Sequence, residues 1–168
     1  MRLGLCDTDD IGAISQEVVA FGSQALGHPA DDHILIEQMA DGLIAELLVG
    51  IQNDPHFGLV MTIAGGGTLV ELMADSATVL LPAQPQDLVN ALSKLKVMKL
   101  LSGYRGRAQA DLDELVQTLM KISAMALALA DTLIDMDINP LWVTEHGSIA
   151  VDALIQLGDI DALPAHLR

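Results

Sequence analysis

Near its C-terminus the chain carries two short apolar runs on either side of a segment that suits a tight reversal. The first run covers residues 135–143, the second covers residues 148–153, and Thr144-Glu145-His146-Gly147 lies between them. Apolar, β-branched runs that flank such a segment are typical of a β-hairpin. Because side chains alternate along a strand, the polar residues of the first run should share one face of it: Asp135, Asp137 and Asn139.

The length of the turn decides which residues of this hairpin face each other. With a two-residue loop at Glu145-His146, Asn139 lies directly across from Asp152, and the Cβ atoms of such partners are about 4.5–5.5 Å apart. An amide oxygen and a carboxylate that converge at this separation suit a hard cation. A three-residue loop that ends on Gly147 would move Asp152 to the other face. The polar face could also be simply solvated, so the residues alone leave three interpretations open.

At these residues the sequence resembles a known family. Asp-Ile-Asn-Pro-Leu at 137–141, followed by Ala-Val-Asp-Ala at 150–153, is similar to the metal-binding end of the ATP-grasp domain in ADP-forming acyl-CoA synthetases, the acetate–CoA ligases. Succinyl-CoA synthetase β chains are more distant relatives. The resemblance implies that Asn139 and Asp152 hold magnesium against the phosphates of ATP or ADP. The family usually has Glu where this chain has Asp135.

Further blocks of the chain are similar to the same family, in the expected order over residues 33–155. They are Ile34–Met39 with Ala45–Gly50, Asp54–Gly58, Gly65–Leu72 and Leu100–Gly106. The first pair resembles the adenine-hinge strand and the acidic strand after it. The resemblance implies that Glu37 is the hinge acid, that Gln38 and Met39 meet adenine through their main chain, and that Glu46 binds ribose. Glu46 could instead be a solvated acid on an amphipathic strand.

The charge distribution excludes some classes of partner. Net charge is −15, and thirteen acids but no Lys or Arg lie between Leu3 and Ser93. Such a surface repels a phosphate backbone, so we expect no nucleic-acid binding. The chain has no apolar run long enough to span a bilayer and no secretory signal, and it has one cysteine, Cys6. We therefore expect no membrane partner and a cytoplasmic location.

The same acidic half lacks a fixed cation for a polyphosphate. In the family, a His-Lys-Thr-Asp-x-Gly-Gly block precedes the segment that resembles Met1–Leu5, and this chain does not contain it. We therefore expect residues 1–168 to be a single domain, the C-terminal part of an ATP-grasp domain excised from a longer synthetase. A naturally short subunit is the alternative.

The apolar periodicity predicts an α+β fold with a mixed or antiparallel sheet and packed helices, as in a C-terminal ATP-grasp subdomain. The predicted helices are Asp9–Leu26, Asp87–Leu101 and Asp111–Asp131, and the predicted strands before the hairpin are His33–Met39, Leu43–Gln52, Phe57–Ala64 and Ala77–Leu81.

Two functions follow from the resemblance. The first is the nucleotide- and magnesium-binding part of an ADP-forming acyl-CoA synthetase, an acid–thiol ligase. It would work with CoA-binding and CoA-ligase domains and a phosphohistidine supplied elsewhere, and the chain alone would be inactive. The second is a non-catalytic regulatory or docking module of the same ancestry, for example one fused to an acetyltransferase.

Overall fold

The computed structural model describes residues 2–6, 10–29, 33–66 and 75–158. The chain divides into two compact units, Met1–Asp41 and Gly42–Arg168, and each is described by itself. In the described ranges, no helix combines the length and the apolar character needed to cross a bilayer.

The described part of the first unit contains one helix, α1 (Ile11–Leu26), close to its predicted bounds. The carboxylate of Asp10 caps its start by accepting a hydrogen bond from the Ala13 N–H at 3.0 Å, which satisfies one of the free donors of the first turn. Gly27 ends the helix with φ 72°, a left-handed conformation that glycine adopts without a steric penalty.

The strand predicted at His33–Met39 is wrong, because these residues form no strand. Most side chains of this segment are exposed, including Leu35 at 82%. The apolar run Ile34-Leu35-Ile36 gave the strand signal, but a strand also needs a neighbour for its backbone groups. No strand in the described part of the chain pairs with this run.

The second unit is built on a six-stranded sheet in which every pairing is antiparallel. The strand order is β3-β2-β1-β4-β5, and β6 pairs with β4 beside β5. The strands are β1 (Ala45–Asp54), β2 (Gly58–Gly65), β3 (Ser76–Leu80), β4 (Leu133–Val143), β5 (Ser148–Ala150) and β6 (Ala153–Leu157).

In the described residues of this unit, the helices are α2 (Pro85–Lys94), α3 (Met98–Leu101) and α4 (Leu112–Ala128), with a 3₁₀ turn at Tyr104–Gly106. The prediction of a single helix over Asp87–Leu101 is therefore wrong, because two separate helices, α2 and α3, lie in this range. The Asp75 carboxylate accepts hydrogen bonds from the N–H groups of Lys96 at 2.6 Å and Val97 at 3.0 Å. Since the side chain holds these two donors, the backbone between α2 and α3 does not follow a continuous helical ladder.

The hydrophobic core lies between the helices and one face of the sheet. On the strands it contains Leu47, Val49 and Ile51 of β1, Met61 and Ile63 of β2, and Met136, Ile138 and Leu141 of β4. On the helices it contains Leu88, Leu92, Leu115, Leu119 and Ala126. This arrangement of helices on one side of an antiparallel sheet confirms the predicted α+β class.

Candidate nucleotide and metal site

The face of the sheet opposite the core carries polar side chains on its central strands. On β1, half-buried Glu46, Leu48 and Gly50 alternate with buried core residues. On β4, Asp135 and Asp137 alternate with buried Met136 and Ile138 in the same way. The alternation of side chains along a strand therefore gives the central strand pair one apolar face and one polar face.

The terminal hairpin has the two-residue loop that brings Asn139 opposite Asp152. The Thr144 N–H donates to the Gly147 carbonyl at 2.9 Å, and the Asn139 N–H donates to the Asp152 carbonyl at 3.1 Å. The same register continues on both sides of this pair, in β5 and in β6. This confirms the predicted register and excludes the three-residue loop.

A β-bulge at Asn139 and Pro140 adjusts which residues of β4 face the core. Leu47 pairs with Leu141 and Val49 pairs with Ile138, so β4 has one extra residue between these pairs. Pro140, which has no N–H for the ladder, occupies this irregular position, as is usual for proline in a sheet. Because of the extra residue, Ile138 and Leu141 are both buried.

Three carboxylates lie together beside this bulge. Partial burial and then the negative charges of Asp135 and Asp152 raise the pKa of the Asp137 carboxyl above its ordinary value of 3.8. The Asp152 carboxylate also accepts the N–H of Ala153 at 2.9 Å. A cation bound at this end of the polar face would therefore offset repulsion between acids.

Gly50 leaves room next to Asp137. The two residues are direct cross-strand partners, and a Cβ on Gly50 would lie 4.0 Å from an Asp137 carboxylate oxygen. In a sheet, glycine often marks a place where another group approaches the backbone closely.

Glu46 lies farther along the same face, against a glycine. The Gly66 N–H donates to the Glu46 carbonyl at 2.6 Å, and a Cβ on Gly66 would come within 2.6–2.8 Å of the Cβ and backbone of Glu46. Only glycine fits so close to this strand. Residues Gly67 to Leu72 of the glycine-rich block lie outside the described residues.

Trp142, which the sequence reasoning did not identify, is the direct cross-strand partner of Glu46. Its flanking residues Leu141 and Val143 are buried in the core, so the indole belongs to the opposite, polar face. Its Nε1 atom is buried and has no hydrogen-bond partner. The sequence signal was present, since this is the one tryptophan of the chain, but its face depends on the bulge.

Glu114 of α4 fixes the turn of the hairpin and was also missed. One oxygen of its carboxylate accepts the Thr118 hydroxyl at 2.7 Å, and the other accepts the Ser148 hydroxyl of β5 at 3.1 Å. The start of α4 is itself fixed, because the Asp111 carboxylate accepts the Glu114 N–H at 3.0 Å. The helix therefore holds the strand that leads to Asp152.

The three predicted hinge residues belong to the first unit, whereas Glu46, Asn139 and Asp152 belong to the second. Glu37, Gln38 and Met39 are exposed and line a cleft of about 720 Å³ whose walls also include α1. Their backbone is not in a strand, so its donors and acceptors are not used by a sheet.

The donor set at Asn139 and Asp152 fits a hard cation that keeps other oxygen ligands. An amide oxygen and a carboxylate are suitable ligands for Mg²⁺, which in proteins is usually held by one or two carboxylates together with water and substrate phosphates. Among the described residues, no group of three or more His, Cys, Asp or Glu side chains could hold a metal alone. An amide oxygen and a carboxylate thus fit a magnesium ion that is shared with a phosphate ligand.

Comparison with curated proteins finds ADP-forming ligases. The chain is 32% identical over 126 residues to acetate–CoA ligase [ADP-forming] I of Archaeoglobus fulgidus, covering 75% of this chain and 18% of that protein. It is 32% identical over 114 residues to the β subunit of acetate–CoA ligase [ADP-forming] II of Pyrococcus furiosus, covering 67% of this chain and 48% of that subunit. The chain thus spans less than half the length of these relatives.

A solved structure and a family model both agree with the similarity to these ligases. The dinucleotide forming acetyl-coenzyme A synthetase 1 of Ca. Korarchaeum cryptofilum superposes with a TM-score of 0.72 at 26% identity, covering 86% of this chain and 62% of that one. The family model described as ATP-grasp domain matches residues 1–157. The chain belongs to the ATP-grasp domain family.

Proposed function

We propose that this chain supplies the nucleotide- and magnesium-binding part of an ADP-forming acyl-CoA synthetase. The observation that carries the proposal is the hairpin register, which sets Asn139 opposite Asp152 on the polar face of the sheet. The whole enzyme would interconvert a carboxylate, CoA and ATP with acyl-CoA, ADP and phosphate. The similarity to ADP-forming acetate–CoA ligases supports this assignment.

Asn139 and Asp152 would hold the metal through their side-chain oxygens, and Asp137 would flank them. A magnesium ion bound there supplies positive charge to the phosphate oxygens during phosphoryl transfer. The carboxylates of Asp135 and Asp137 add to the negative potential at this end of the face, which favours a cation over a bare phosphate.

The nucleoside would bind to the other residues that the family resemblance assigns to the site. Glu46 would accept hydrogen bonds from the ribose. Because Gly66 has no Cβ, its backbone can lie close to Glu46 on β1. Glu37, Gln38 and Met39 would meet the adenine, the last two through main-chain groups, which are not engaged in a strand. The related synthetase of Ca. Korarchaeum cryptofilum was solved with coenzyme A and Ca-AMPCP, which supports a nucleotide with a divalent cation as the ligand.

The remaining steps need partners. The phosphohistidine and the CoA-binding and CoA-ligase domains would come from elsewhere in the same chain or from another subunit. One of the relatives is a separate β subunit, which supports an assembly of this kind. We also propose that residues 1–168 act as the C-terminal part of a longer ATP-grasp domain, in the cytoplasm.

Calorimetric titration of the purified chain with ADP, with and without Mg²⁺, tests the binding role. We expect ADP to bind about tenfold more tightly with Mg²⁺, equivalent to about 1.4 kcal/mol. Equal affinity in the two titrations would contradict the metal site, and no ADP binding in either would contradict the proposed function.

An assay with acetate, CoA, ATP and Mg²⁺ tests the need for partners. We expect no turnover by residues 1–168 alone, because the phosphohistidine and the CoA domains would be supplied elsewhere and thirteen acids without a cation lie between Leu3 and Ser93. Turnover would contradict this expectation. If addition of the partner domains still gave no phosphoryl transfer while ADP bound, the chain would be the non-catalytic module instead.

A further inference from the structure

Residues 94–107, which we call the basic segment, differ from the rest of the chain in charge. They contain five of its eight Lys and Arg residues and no acid, whereas the other residues include three cations and 23 acids, a net charge of −20. All five cations are exposed. Because the remaining surface repels anionic molecules, the basic segment is the region at which a negatively charged partner can approach this chain.

The backbone of the basic segment is fixed by its neighbours. Leu95 and Leu101 are buried in the core, and the Leu101 carbonyl accepts the Ala110 N–H at 2.9 Å. The Asp75 carboxylate also accepts the Lys96 N–H at 2.6 Å. Cations on a backbone that is already ordered lose less conformational entropy when they bind a partner.

A cavity of about 540 Å³ opens on the basic segment. Its lining combines cationic and hydroxyl side chains, which are Lys99, Arg105, Ser93, Ser102 and Tyr104. No described residue that lines the cavity is acidic. In the described part of the chain, neither of the two cations forms an ion pair. The cavity therefore presents two positive charges that an occupant could neutralise.

Arg105 is held in a backbone conformation that costs free energy. Its φ of 54° and ψ of 42° lie in the left-handed region, which is unfavourable for a residue other than glycine. Its guanidinium lies over the ring of Tyr104, with Cζ 5.1 Å from the ring centroid. This contact orients the group and leaves its N–H donors available. Strained residues of this kind cluster at ligand-binding sites, which supports a binding role for Arg105.

The serine hydroxyls of the cavity discriminate between two kinds of anion. The Ser93 hydroxyl donates to the Asn90 carbonyl at 2.8 Å, and the Ser102 hydroxyl donates to the Met98 carbonyl at 2.9 Å. Since a hydroxyl has one hydrogen, both oxygens can only accept a hydrogen bond from an occupant. A fully ionised phosphate has no donor for them. An acidic polypeptide has carboxylates for the two cations and N–H groups for the two serines.

We propose that the basic segment and its cavity form a docking surface for an acidic segment of a partner protein, with Lys99 and Arg105 as the main cationic contacts. Three lining residues, Met98, Tyr104 and Arg105, are of types enriched at protein interfaces. The inference goes beyond the proposed function and does not depend on nucleotide binding. It assigns a surface through which the chain would meet a partner domain.

An NMR titration with an octaglutamate peptide, blocked at both ends, tests the surface. We expect the peptide to shift the backbone amide signals of residues 93–107, with an affinity that falls as the salt concentration rises. Octaglutamine keeps the N–H donors and removes the charges, so it should cause no shifts.

Charge reversals test the two cations. Lys99→Glu and Arg105→Glu should each weaken binding of the octaglutamate peptide about fivefold or more. Lys121→Glu is the matched control, because it makes the same change in net charge on α4, outside the basic segment. It should weaken binding less than about twofold. Equal losses in all three variants would indicate unspecific attraction and overturn the inference.

Arg105→Gly separates binding from folding. This change removes the guanidinium and relieves the left-handed backbone, so the variant should unfold at the same temperature or higher while it binds the peptide more weakly. A lower unfolding temperature with unchanged peptide binding would show that Arg105 has a structural role and would overturn the inference.

Titrations with inorganic pyrophosphate and with ADP complete the test. If pyrophosphate shifts the same amides and binds more tightly than octaglutamate, the cavity is a phosphate site and the inference is wrong. If octaglutamate leaves residues 93–107 unshifted while ADP binds with Mg²⁺, the docking surface is wrong and the proposed function stands. If the peptide binds there and ADP does not bind, only the proposed function is wrong.

Discussion

The two faces of the strand pair β1–β4 are made by the same stretches of chain but differ in burial and in polarity. One face carries Leu47, Val49 and Ile51 opposite Met136 and Ile138, each at most 4% exposed. The other carries Glu46 opposite Trp142 and Gly50 opposite Asp137, and all four are half-buried. Adjacent residues in the sequence therefore belong to surfaces with separate roles.

This difference indicates how the protein can keep a candidate site without weakening its core. The apolar face provides the burial that stabilises the sheet against the helices. The polar face can then hold carboxylates that repel each other. The bulge at Pro140 maintains the separation, because Leu141 remains buried and its neighbour Trp142 joins the polar face.

Shortening a side chain on the apolar face should have the largest effect. Leu47 is fully buried in the core, and Leu47→Ala should lower the free energy of unfolding by about 2–5 kcal/mol through lost burial and a residual cavity. The neighbouring residue Leu48, which lies half-buried on the polar face, is the matched control. Urea denaturation should show a clearly smaller loss for Leu48→Ala, and equal losses would contradict the division between the faces.

The next largest effect is expected at the close approach between Gly66 and Glu46. Gly66→Ala would place a Cβ within 2.6–2.8 Å of Glu46, including its backbone, so the strand must shift. We expect a loss of about 1–3 kcal/mol in unfolding free energy.

Gly50→Ala is the control for this change, since a Cβ there meets nothing nearer than 3.9 Å. Its effect on stability should be about 0.5 kcal/mol or less. Denaturation curves that agree for the two variants would show that the contact between Gly66 and Glu46 is not tight in solution.

A change on the polar face should affect binding and leave the fold intact. Asp152→Asn removes one charge from the proposed metal site, and it should weaken the binding of ADP with Mg²⁺ about tenfold, or about 1.4 kcal/mol. In the complete synthetase that we propose, the rate of phosphoryl transfer should fall strongly. The unfolding free energy should change by about 0.5 kcal/mol or less, because Asp152 is exposed. Unchanged magnesium dependence would leave the hairpin without a metal role.

Much of the second unit was predictable because its signals are local. Alternation and turn composition gave the hairpin and the position of Asn139 opposite Asp152, and the helical period gave α4 within three residues at its C-terminal end. These patterns depend on neighbours in the chain. The roles of the hinge residues, of Glu46 and of the metal pair came from family resemblance and stay predictions.

The errors and omissions have long-range causes. The break between α2 and α3 depends on Asp75, which is 21 residues from Lys96, and no helical period contains that information. The Ile34-Leu35-Ile36 run looked like a strand because periodicity does not reveal whether a partner strand exists. The outward position of Trp142 depends on an extra residue in β4, which appears only when β1 is aligned with it.

The smallest effect should come from Asp137, and it should have the opposite sign. Burial and the charges of Asp135 and Asp152 raise the pKa of this carboxyl above 3.8 in the folded protein, so its ionised form opposes folding at neutral pH. Asp137→Asn should therefore stabilise the fold by about 0.3 kcal/mol at pH 7, the scale of a partly exposed charge interaction.

The gain in unfolding free energy from Asp137→Asn should be fully present above the raised pKa of Asp137. It should vanish as the pH falls below 3.8, because the carboxyl is then protonated in both the folded and the unfolded state. Asp113→Asn is the matched control, because Asp113 lies in the first turn of α4, where a negative charge stabilises a helix. This control should destabilise the fold slightly at pH 7. Paired denaturation curves at pH 7 and at low pH measure the sign of the stability change in both variants. A loss of stability in Asp137→Asn at pH 7 would show that the ionised Asp137 carboxylate stabilises the fold and does not oppose it.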